Sequence, residues 1–232
     1  MPAGDEWAGL ERDRALLDRT SMAERVAGIL RERIMEGQFP PGFRLSEETI
    51  IKGLGISRNT LREAFRLLAH EKLLVHELNR GVFVRKLGTD DLSDLYRVRR
   101  VVECSALREI TEIPKAAMDR LCAAVTDAEQ AAFDERWPDV GTANLRFHEA
   151  IVSLIGSPRV DELMRRVWAE LRLVWHVMEN PRMIYEPYVA KNREILELLL
   201  TGDLEAAAKL LDAYLTDAEE RLVAAYADAS ER

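Results

Sequence analysis

The stretch GISRNTLREAF, residues 55–65, combines a helix-ending glycine, a capping serine and an amphipathic helical pattern. Gly55 is expected to end one helix, and Ser57 to begin the next by accepting a hydrogen bond from its first turn. Helical spacing places Leu61 and Phe65 on the same face, which predicts their burial. Two helices separated by so short a glycine-containing break are typical of a helix-turn-helix.

The opposite face of the second helix is cationic, because it carries Arg58, Asn59, Arg62 and Arg66. Cations at a helix N-terminus are unfavourable, since the helix dipole favours anions there. Bound DNA would offset that cost: arginine pairs with guanine, asparagine pairs with adenine, and free N–H groups of the first turn bind phosphate. The pattern therefore favours a recognition helix over the alternative, an ordinary solvated helix face.

The flanking sequence supplies the other elements of a winged helix-turn-helix. Ser21 and Glu24 form a capping-box pattern at the start of a first helix, and Gly37 is expected to close that helix. Further helices are predicted over residues 46–54 and 57–70. Two β-rich runs within residues 73–87 predict a hairpin, the wing.

The remaining chain, residues 90–232, has helical periodicity and almost no strand pattern. Breaks fall at Pro114, Pro138, IGSP (155–158), NP (180–181) and TGD (201–203). They divide this region into six helices, or seven if PRMIYEPYVA (181–190) holds a short one. We therefore predict a mainly α protein: a loose arm over residues 1–20, a winged helix-turn-helix over 21–86 and an all-α bundle over 90–232.

Charge distinguishes the two predicted domains. Residues 21–86 hold 12 Lys and Arg against 8 Asp and Glu, whereas the rest holds 21 against 33. The basic domain suits a polyanion and the acidic one does not. No apolar run is long enough for a bilayer, no export signal begins the chain, and two cysteines, Cys104 and Cys122, are expected to be reduced thiols. We expect a cytoplasmic protein without a membrane partner.

The segment GQFPPGFRLSEETIIKGLGISRNTLREAFRLLAHEKLLVHELNRGVFV (37–84) resembles the DNA-binding domain of GntR-type bacterial transcription regulators. A PG turn, an SR–RE recognition segment and an RG wing occur in the family's order. The resemblance implies that Arg58, Arg62 and Gly81 contact DNA. From their positions beside these residues we add Arg44, Asn59, Thr60 and Arg80 to the expected set, with plain turn chemistry as the alternative for Arg44 and the wing tip.

The bundle resembles the ligand-binding domain of the FadR subfamily in three segments: LYRVRRVVE (95–103), NLRFH (144–148) and NREILELLLTGDLEAAAKLLDAYL (192–215). This resemblance implies that the bundle binds a small-molecule effector. In many members of that subfamily one Asp or Asn and three His also hold a divalent metal there.

The metal ligands are incomplete in this chain. Asn144 and His148 keep the four-residue spacing, but the next two expected histidines are Asn192 and Tyr214. Asparagine and neutral tyrosine are poor ligands for zinc-like ions. We therefore expect no tightly bound transition metal and no cofactor, and a hydrogen-bonded core residue is the alternative role for His148.

The same four residues, with Arg99, form the expected effector site. Arginine can bind a carboxylate through two hydrogen bonds, so our hypothesis is a small organic acid or an acyl-type ligand held without metal. Three further side chains are expected either to line the cavity or to pack in the core: Trp168, Trp175 and Met178.

These features together predict a ligand-responsive transcription regulator that binds a pseudo-palindromic operator as a homodimer. Two alternatives stay open. One is a DNA-binding protein whose bundle ignores ligands, and the other is a metal-assisted enzyme. The sequence lacks a P-loop, a GxGxxG segment and a convincing catalytic Cys/His or Ser/His/Asp set, so we expect no enzyme.

Overall fold

The computed structural model describes residues 21–175 and 181–230, and the chain divides into two compact units, Met1–Arg85 and Lys86–Arg232. The predicted arm, residues 1–20, lies outside the described residues.

The first unit is a winged helix-turn-helix, as predicted. Its helices are α1 (Met22–Met35), α2 (Glu47–Leu54) and α3 (Arg58–His70), and its strands are β1 (Arg44–Leu45), β2 (Leu74–Glu77) and β3 (Gly81–Val84). The predicted capping box is formed, with Ser21 and Glu24 bonding each other's backbone N–H. Gly55 ends α2 in the left-handed conformation and Ser57 caps α3. The sequence signals therefore place these helix boundaries correctly.

The wing contains one strand more than the predicted hairpin. The sheet order is β1-β3-β2, and both pairings are antiparallel. The hairpin register pairs Glu77 with Gly81, which leaves a three-residue loop. Strand β1 escaped prediction because two residues show no alternation, and its pairing partner lies almost forty residues later in the chain.

The second unit is the predicted helical bundle. Its helices are α4 (Thr89–Glu109), α5 (Lys115–Phe133), α6 (Trp137–Val152), α7 (Pro158–Trp175), α8 (Pro181–Thr201) and α9 (Leu204–Ser230), and a 3₁₀ turn, Ser153–Ile155, follows α6. The described residues thus hold six helices here, and PRMIYEPYVA opens α8 instead of forming a seventh. Prolines begin α7 and α8, where a missing N–H costs nothing.

The core of the bundle is continuous from α4 to α9. Its largest fully buried side chains are Leu92 and Leu107 of α4, Leu121 of α5, Phe147 and Ile151 of α6, and Tyr214 of α9. Cys104 is buried and Cys122 is half-buried, and both are free thiols. None of the described helices combines the length and the apolar character that a membrane crossing requires.

Candidate DNA-reading surface and buried polar cluster

The first turn of α3 presents the predicted cationic residues to solvent. Leu61 and Phe65 are almost completely buried, so α3 packs on one face and turns the other outward. Arg58, Asn59 and Arg62 are exposed on that outer face. The N-terminus of the helix is therefore open to a partner.

Arg58 and Arg62 are also free of competing anions. In the part of the chain that the structure describes, no carboxylate lies within 4.0 Å of either guanidinium, whereas Arg66 pairs with Glu63. The first turn of α3 contains no acidic residue. Both charges, together with the partial positive charge of the helix end, are available to an anion.

Arg44 and Gly81, which the sequence placed on separate elements, are neighbours across β1 and β3. Gly81 has φ of 113°, and a Cβ atom built there would lie 3.4 Å from Nε of Arg44. The positive φ favours glycine, whereas the separation from Arg44 is an ordinary contact. A groove of about 330 Å³ adjoins the two residues. It is lined by Arg44, Leu45, Ser46, Glu47, Gly81 and Val82.

The other two predicted contacts are engaged within the domain. Arg80 forms an ion pair with Glu77, and its Cζ lies 5.5 Å from the ring centre of Phe83. The hydroxyl of Thr60 lies 2.8 Å from Oγ of Ser57, so Thr60 supports the helix cap. Among the predicted contacts in the described structure, the exposed cations without an ion-pair partner are therefore Arg44, Arg58 and Arg62, whereas Arg80 is paired.

In the bundle, the structure brings together all five residues predicted for the effector site. Arg99 comes from α4, Asn144 and His148 from α6, Asn192 from α8 and Tyr214 from α9. Four of them are at most 5% exposed, and Asn144 is half-buried. We call these residues, with Glu103, the polar cluster.

Glu103 was missed in the sequence, although it is fully buried at the centre of the cluster. Nε of Arg99 donates to its Oε1 at 2.8 Å, and its Oε2 lies 2.7 Å from Nδ1 of His148. A signal did exist: Glu103 stands four residues after Arg99, the spacing of a helical ion pair.

The rest of the cluster forms a short chain of hydrogen bonds. Nε2 of His148 lies 3.0 Å from the hydroxyl of Tyr214, which is also 3.0 Å from Oδ1 of Asn144. Nδ2 of Asn192 donates to the same Oδ1 at 2.7 Å. Oδ1 of Asn192 is buried and has no hydrogen-bond partner in the described structure.

The pKa shifts of His148 and Glu103 indicate which of the two side chains carries a proton. Burial lowers the pKa of His148, and the attraction of Glu103 offsets this only in part, so the imidazole is neutral. Burial raises the pKa of Glu103, but the charge of Arg99 and the hydrogen bonds from Arg99 and His148 hold it below the usual value. The carboxylate accepts only, so His148 carries its proton on Nδ1 and Nε2 is an acceptor.

Tyr214 consequently has one proton and two acceptors. Burial raises its pKa well above the usual value, so the hydroxyl stays protonated and can donate to His148 or to Asn144, but not to both at once. Together with the unpaired Oδ1 of Asn192, the cluster is short of hydrogen-bond donors at this end. A molecule that supplied a donor would remove the deficit.

Arg99 is held as a flat, buried cation. Its Cζ lies 4.9 Å from the ring centre of Tyr96 and 4.8 Å from that of Trp168. Trp168 is thus a cluster neighbour, whereas the side chain of Trp175 and residue Met178 lie outside the described part. Nε of Arg99 donates to Glu103, and a side-chain hydrogen bond also links Arg99 to Tyr96. Since a guanidinium carries five N–H donors, its terminal nitrogens keep further donors.

The cluster does not fit the metal of the FadR-type bundles. The described residues contain no group of three or more His, Cys, Asp and Glu side chains that could hold a metal ion. Nε2 of His148, the best available ligand atom, faces the hydroxyl of Tyr214 instead of a second imidazole. An amide oxygen and a protonated phenol do not complete such a site.

A larger groove, of about 630 Å³, lies between α5, α6 and α8 and contains none of the cluster side chains. Its charges are paired on the surface, Arg193 with Glu129 and Arg182 with Glu186. We assign the candidate effector site to the buried cluster, because paired charges exposed to water bind a further ion weakly.

Comparison with known proteins relates each of the two parts of the chain to a family. Residues 22–84 match the family model described as bacterial regulatory proteins, gntR family, and residues 94–217 match that of the FCD domain. A GntR transcriptional regulator from Rhodococcus sp. RHA1 has 46% sequence identity and a TM-score of 0.81, and the match covers 89% of this chain and all of that one. E. coli McbR/YncC, at 21% identity and a TM-score of 0.74, shares the fold over 90% of this chain and all of its own.

Curated relatives are more distant. The uncharacterized HTH-type transcriptional regulator Rv0494 of Mycobacterium tuberculosis is 27% identical over 91% of this chain and 93% of its own length. The gluconate operon transcriptional repressor of Bacillus subtilis is 27% identical over 68% of this chain and 63% of its own.

Proposed function

The chain belongs to the gntR family of bacterial regulatory proteins, with an FCD domain, and from that premise we propose that it is a ligand-responsive, cytoplasmic regulator binding a pseudo-palindromic operator as a homodimer. The observation that carries the DNA-binding part is the unpaired cationic first turn of α3. The N-terminal residues of a recognition helix reach base edges in the major groove.

The proposed contacts separate into two kinds. Arg58, Asn59 and Arg62 read bases or adjacent phosphates from α3. Arg44, beside Gly81 on the wing, holds the backbone. Its guanidinium lines the groove without an ion-pair partner in the described structure, although Glu47 also lines that groove. Thr60 and Arg80 are secondary, since each already has a partner inside the domain.

The test begins with operator fragments selected from random duplexes by the full-length protein. Replacing both Arg58 and Arg62 by alanine should weaken binding by roughly 100-fold or more and reduce the salt dependence of affinity. Arg66→Ala is the matched control, because Arg66 lies on the same face but pairs with Glu63. Unchanged affinity in the double variant would refute the assignment.

A homodimer follows from the two-fold character of such operators, in which two reading helices sit about one DNA turn apart. Analytical ultracentrifugation of the protein alone and with a selected operator tests this. Selected sequences should contain two related half-sites, and a single half-site with one bound chain would contradict it.

For the effector, we propose a small organic acid or acyl-type ligand that binds the polar cluster without metal. The support is Arg99, a buried guanidinium between two aromatic rings. Beyond its hydrogen bonds to Glu103 and Tyr96, its two terminal nitrogens keep N–H donors. A carboxylate can accept from both of them. A hydroxyl or amine on the same molecule could donate the hydrogen bond that Oδ1 of Asn192 lacks, or one that Tyr214 cannot supply.

Calorimetry with a panel of mono-, di- and hydroxycarboxylates, with and without chelator, tests this assignment. Binding should survive the chelator and be lost in Arg99→Lys, which keeps the charge but not the two-pronged geometry. Arg172→Lys on α7 is the control. A strict metal requirement, or binding unaffected by Arg99→Lys, would contradict the proposal.

A second candidate function is favoured by one observation: Glu103 already neutralises Arg99, and the cluster side chains bond to one another. In that case the bundle is structural and the regulator ignores ligands. Operator affinity that no metabolite in a broad panel alters would support this candidate over the first.

A further inference from the structure

The tip of the wing exposes a large apolar side chain. Leu78 is 88% exposed, the highest value among the large hydrophobic residues that the structure describes. It is the first residue of the three-residue loop that joins β2 and β3. Nothing in the hairpin core uses this side chain, so its whole apolar surface is open to a partner.

The neighbours of Leu78 direct it outward. Asn79 adopts the left-handed conformation, with φ of 61°, and the N–H of Arg80 bonds the carbonyl of Glu77 at 3.1 Å, so the loop is a closed turn. The side chain of Arg80 is drawn back onto Glu77 and Phe83. The outermost group of the wing is therefore the leucine and not the arginine.

DNA offers a surface for such a group. Proteins that enter the minor groove frequently insert leucine or another apolar side chain against the base steps, beside polar residues that read the groove. The wing has this combination, because Leu78 is followed by Asn79 and by Arg80. The cationic groove at Arg44 and Gly81 adjoins the same hairpin and would hold the flanking backbone.

We propose that Leu78 enters the minor groove of the operator and binds there by apolar contact, as a determinant of affinity separate from the phosphate contacts. This inference rests on the proposed DNA-binding mode, and it adds a residue that carries no charge and makes no hydrogen bond. Its signature is a loss of affinity without a change in the number of counterions released.

The first experiment measures operator affinity by fluorescence anisotropy at several salt concentrations. Leu78→Ala should bind roughly tenfold more weakly, the loss expected for one buried leucine side chain, with the wild-type salt slope. Arg44→Ala should lose affinity with a slope shallower by about one. Leu78→Met should restore binding, and Val75→Ala, a half-exposed residue of the same hairpin, should have no effect.

The second experiment locates the contact. Replacing operator adenines by 2,6-diaminopurine adds an amino group in the minor groove and leaves the major-groove edge of adenine unchanged. The wild-type protein should lose several-fold more affinity than Leu78→Ala does, because only the wild type fills that groove with the leucine.

Three results would overturn the inference: wild-type affinity in Leu78→Ala, a change of its salt slope, or equal sensitivity of both proteins to diaminopurine. Each of these differs from failure of the proposed function, in which the wild-type protein would select no operator and Arg58 and Arg62 would be dispensable.

Discussion

At the scale of single residues, the polar cluster depends on one internal ion pair. Glu103 is fully buried and accepts from Arg99 and from His148. Its removal would leave a buried guanidinium without a counter-charge, an arrangement that proteins tolerate badly.

We expect Glu103→Ala to lower the free energy of unfolding by about 3–5 kcal/mol, as for other broken buried ion pairs. Glu186→Ala breaks the fully exposed pair with Arg182 and should change the free energy of unfolding far less, because water screens that pair. Urea denaturation followed by circular dichroism measures both. Similar small losses in the two variants would show that the buried pair has little influence on stability.

His148 predicts a pH dependence of stability. Its pKa is lowered by burial in the folded protein, so below its usual value of 6.5 the unfolded chain binds a proton that the folded chain does not. Stability should therefore fall as the pH decreases from 7 towards 5. Glu103, whose pKa is also lowered, adds a further loss below its usual value of 4.5.

The measurement is the melting temperature of the bundle at pH 7, 6 and 5. His148→Gln, which keeps a polar side chain but cannot titrate, should flatten the decrease over that interval. A decrease of the same size in the variant would assign the pH dependence to other groups.

Only some residues of the polar cluster could be predicted from the sequence. Asn144, His148, Asn192 and Tyr214 were found together only because the bundle resembles a known domain, since they come from three helices far apart in the chain. Glu103 ends the segment LYRVRRVVE (95–103), and its spacing from Arg99 was the only sign of its role. A buried arginine requires an acid nearby, but the sequence did not show that Arg99 would be buried.

At the scale of elements, close packing between α6 and α8 depends on Gly141. A Cβ atom there would lie 2.6 Å from Cζ of Tyr185, whose ring packs against the helix. The sequence offered no hint of this constraint, because glycine inside a helix is usually unfavourable and its value here depends on a distant tyrosine.

We expect Gly141→Ala to destabilise the bundle by about 1–3 kcal/mol, the usual cost of overpacking. Gly53→Ala on α2 is the matched control: nothing lies within 4 Å of the added methyl, so the better helix propensity should stabilise by about 0.5–1 kcal/mol. Thermal melts of the two variants show whether each substitution raises or lowers the stability. Stabilisation by both substitutions would show that Tyr185 moves aside freely.

Local signals predicted the helices well and the small strand badly. Ser21, Ser57 and Gly55 define helix ends through their own side chains or backbone, so they can be read without knowing the fold. Strand β1 exists only because Leu45 meets Val82, a contact that the fold creates.

At the scale of the whole molecule, each unit has its own core. The main cluster of the bundle contains only residues from Leu87 onward, and the helix-turn-helix packs around Leu30, Ile34, Leu61 and Phe65. Separate cores are the mark of domains that can fold alone.

A fragment of residues 86–232 should therefore be helical and unfold cooperatively without the first 85 residues. Circular dichroism and calorimetry of the fragment and of the full chain provide the measurement, and the fragment should retain any carboxylate affinity of the parent. A broad, non-cooperative transition would mean that the bundle needs the other unit to fold.

The hydrogen bond from Tyr226 to the backbone of Leu87 ties α9 to the segment that opens the second unit. The phenol donates to the carbonyl of Leu87 at 2.8 Å, just after the boundary between the units, and Tyr214 lies twelve residues earlier, about 18 Å along the same helix. On the proposed function, a change at the effector site around Tyr214 would reach Leu87 through this helix. Tyr226→Phe should remove that hydrogen bond. The variant should bind operator and effector with normal affinity, but neither should alter the dissociation constant of the other. If titrations of the variant still show that each ligand alters the affinity of the other, this route is excluded.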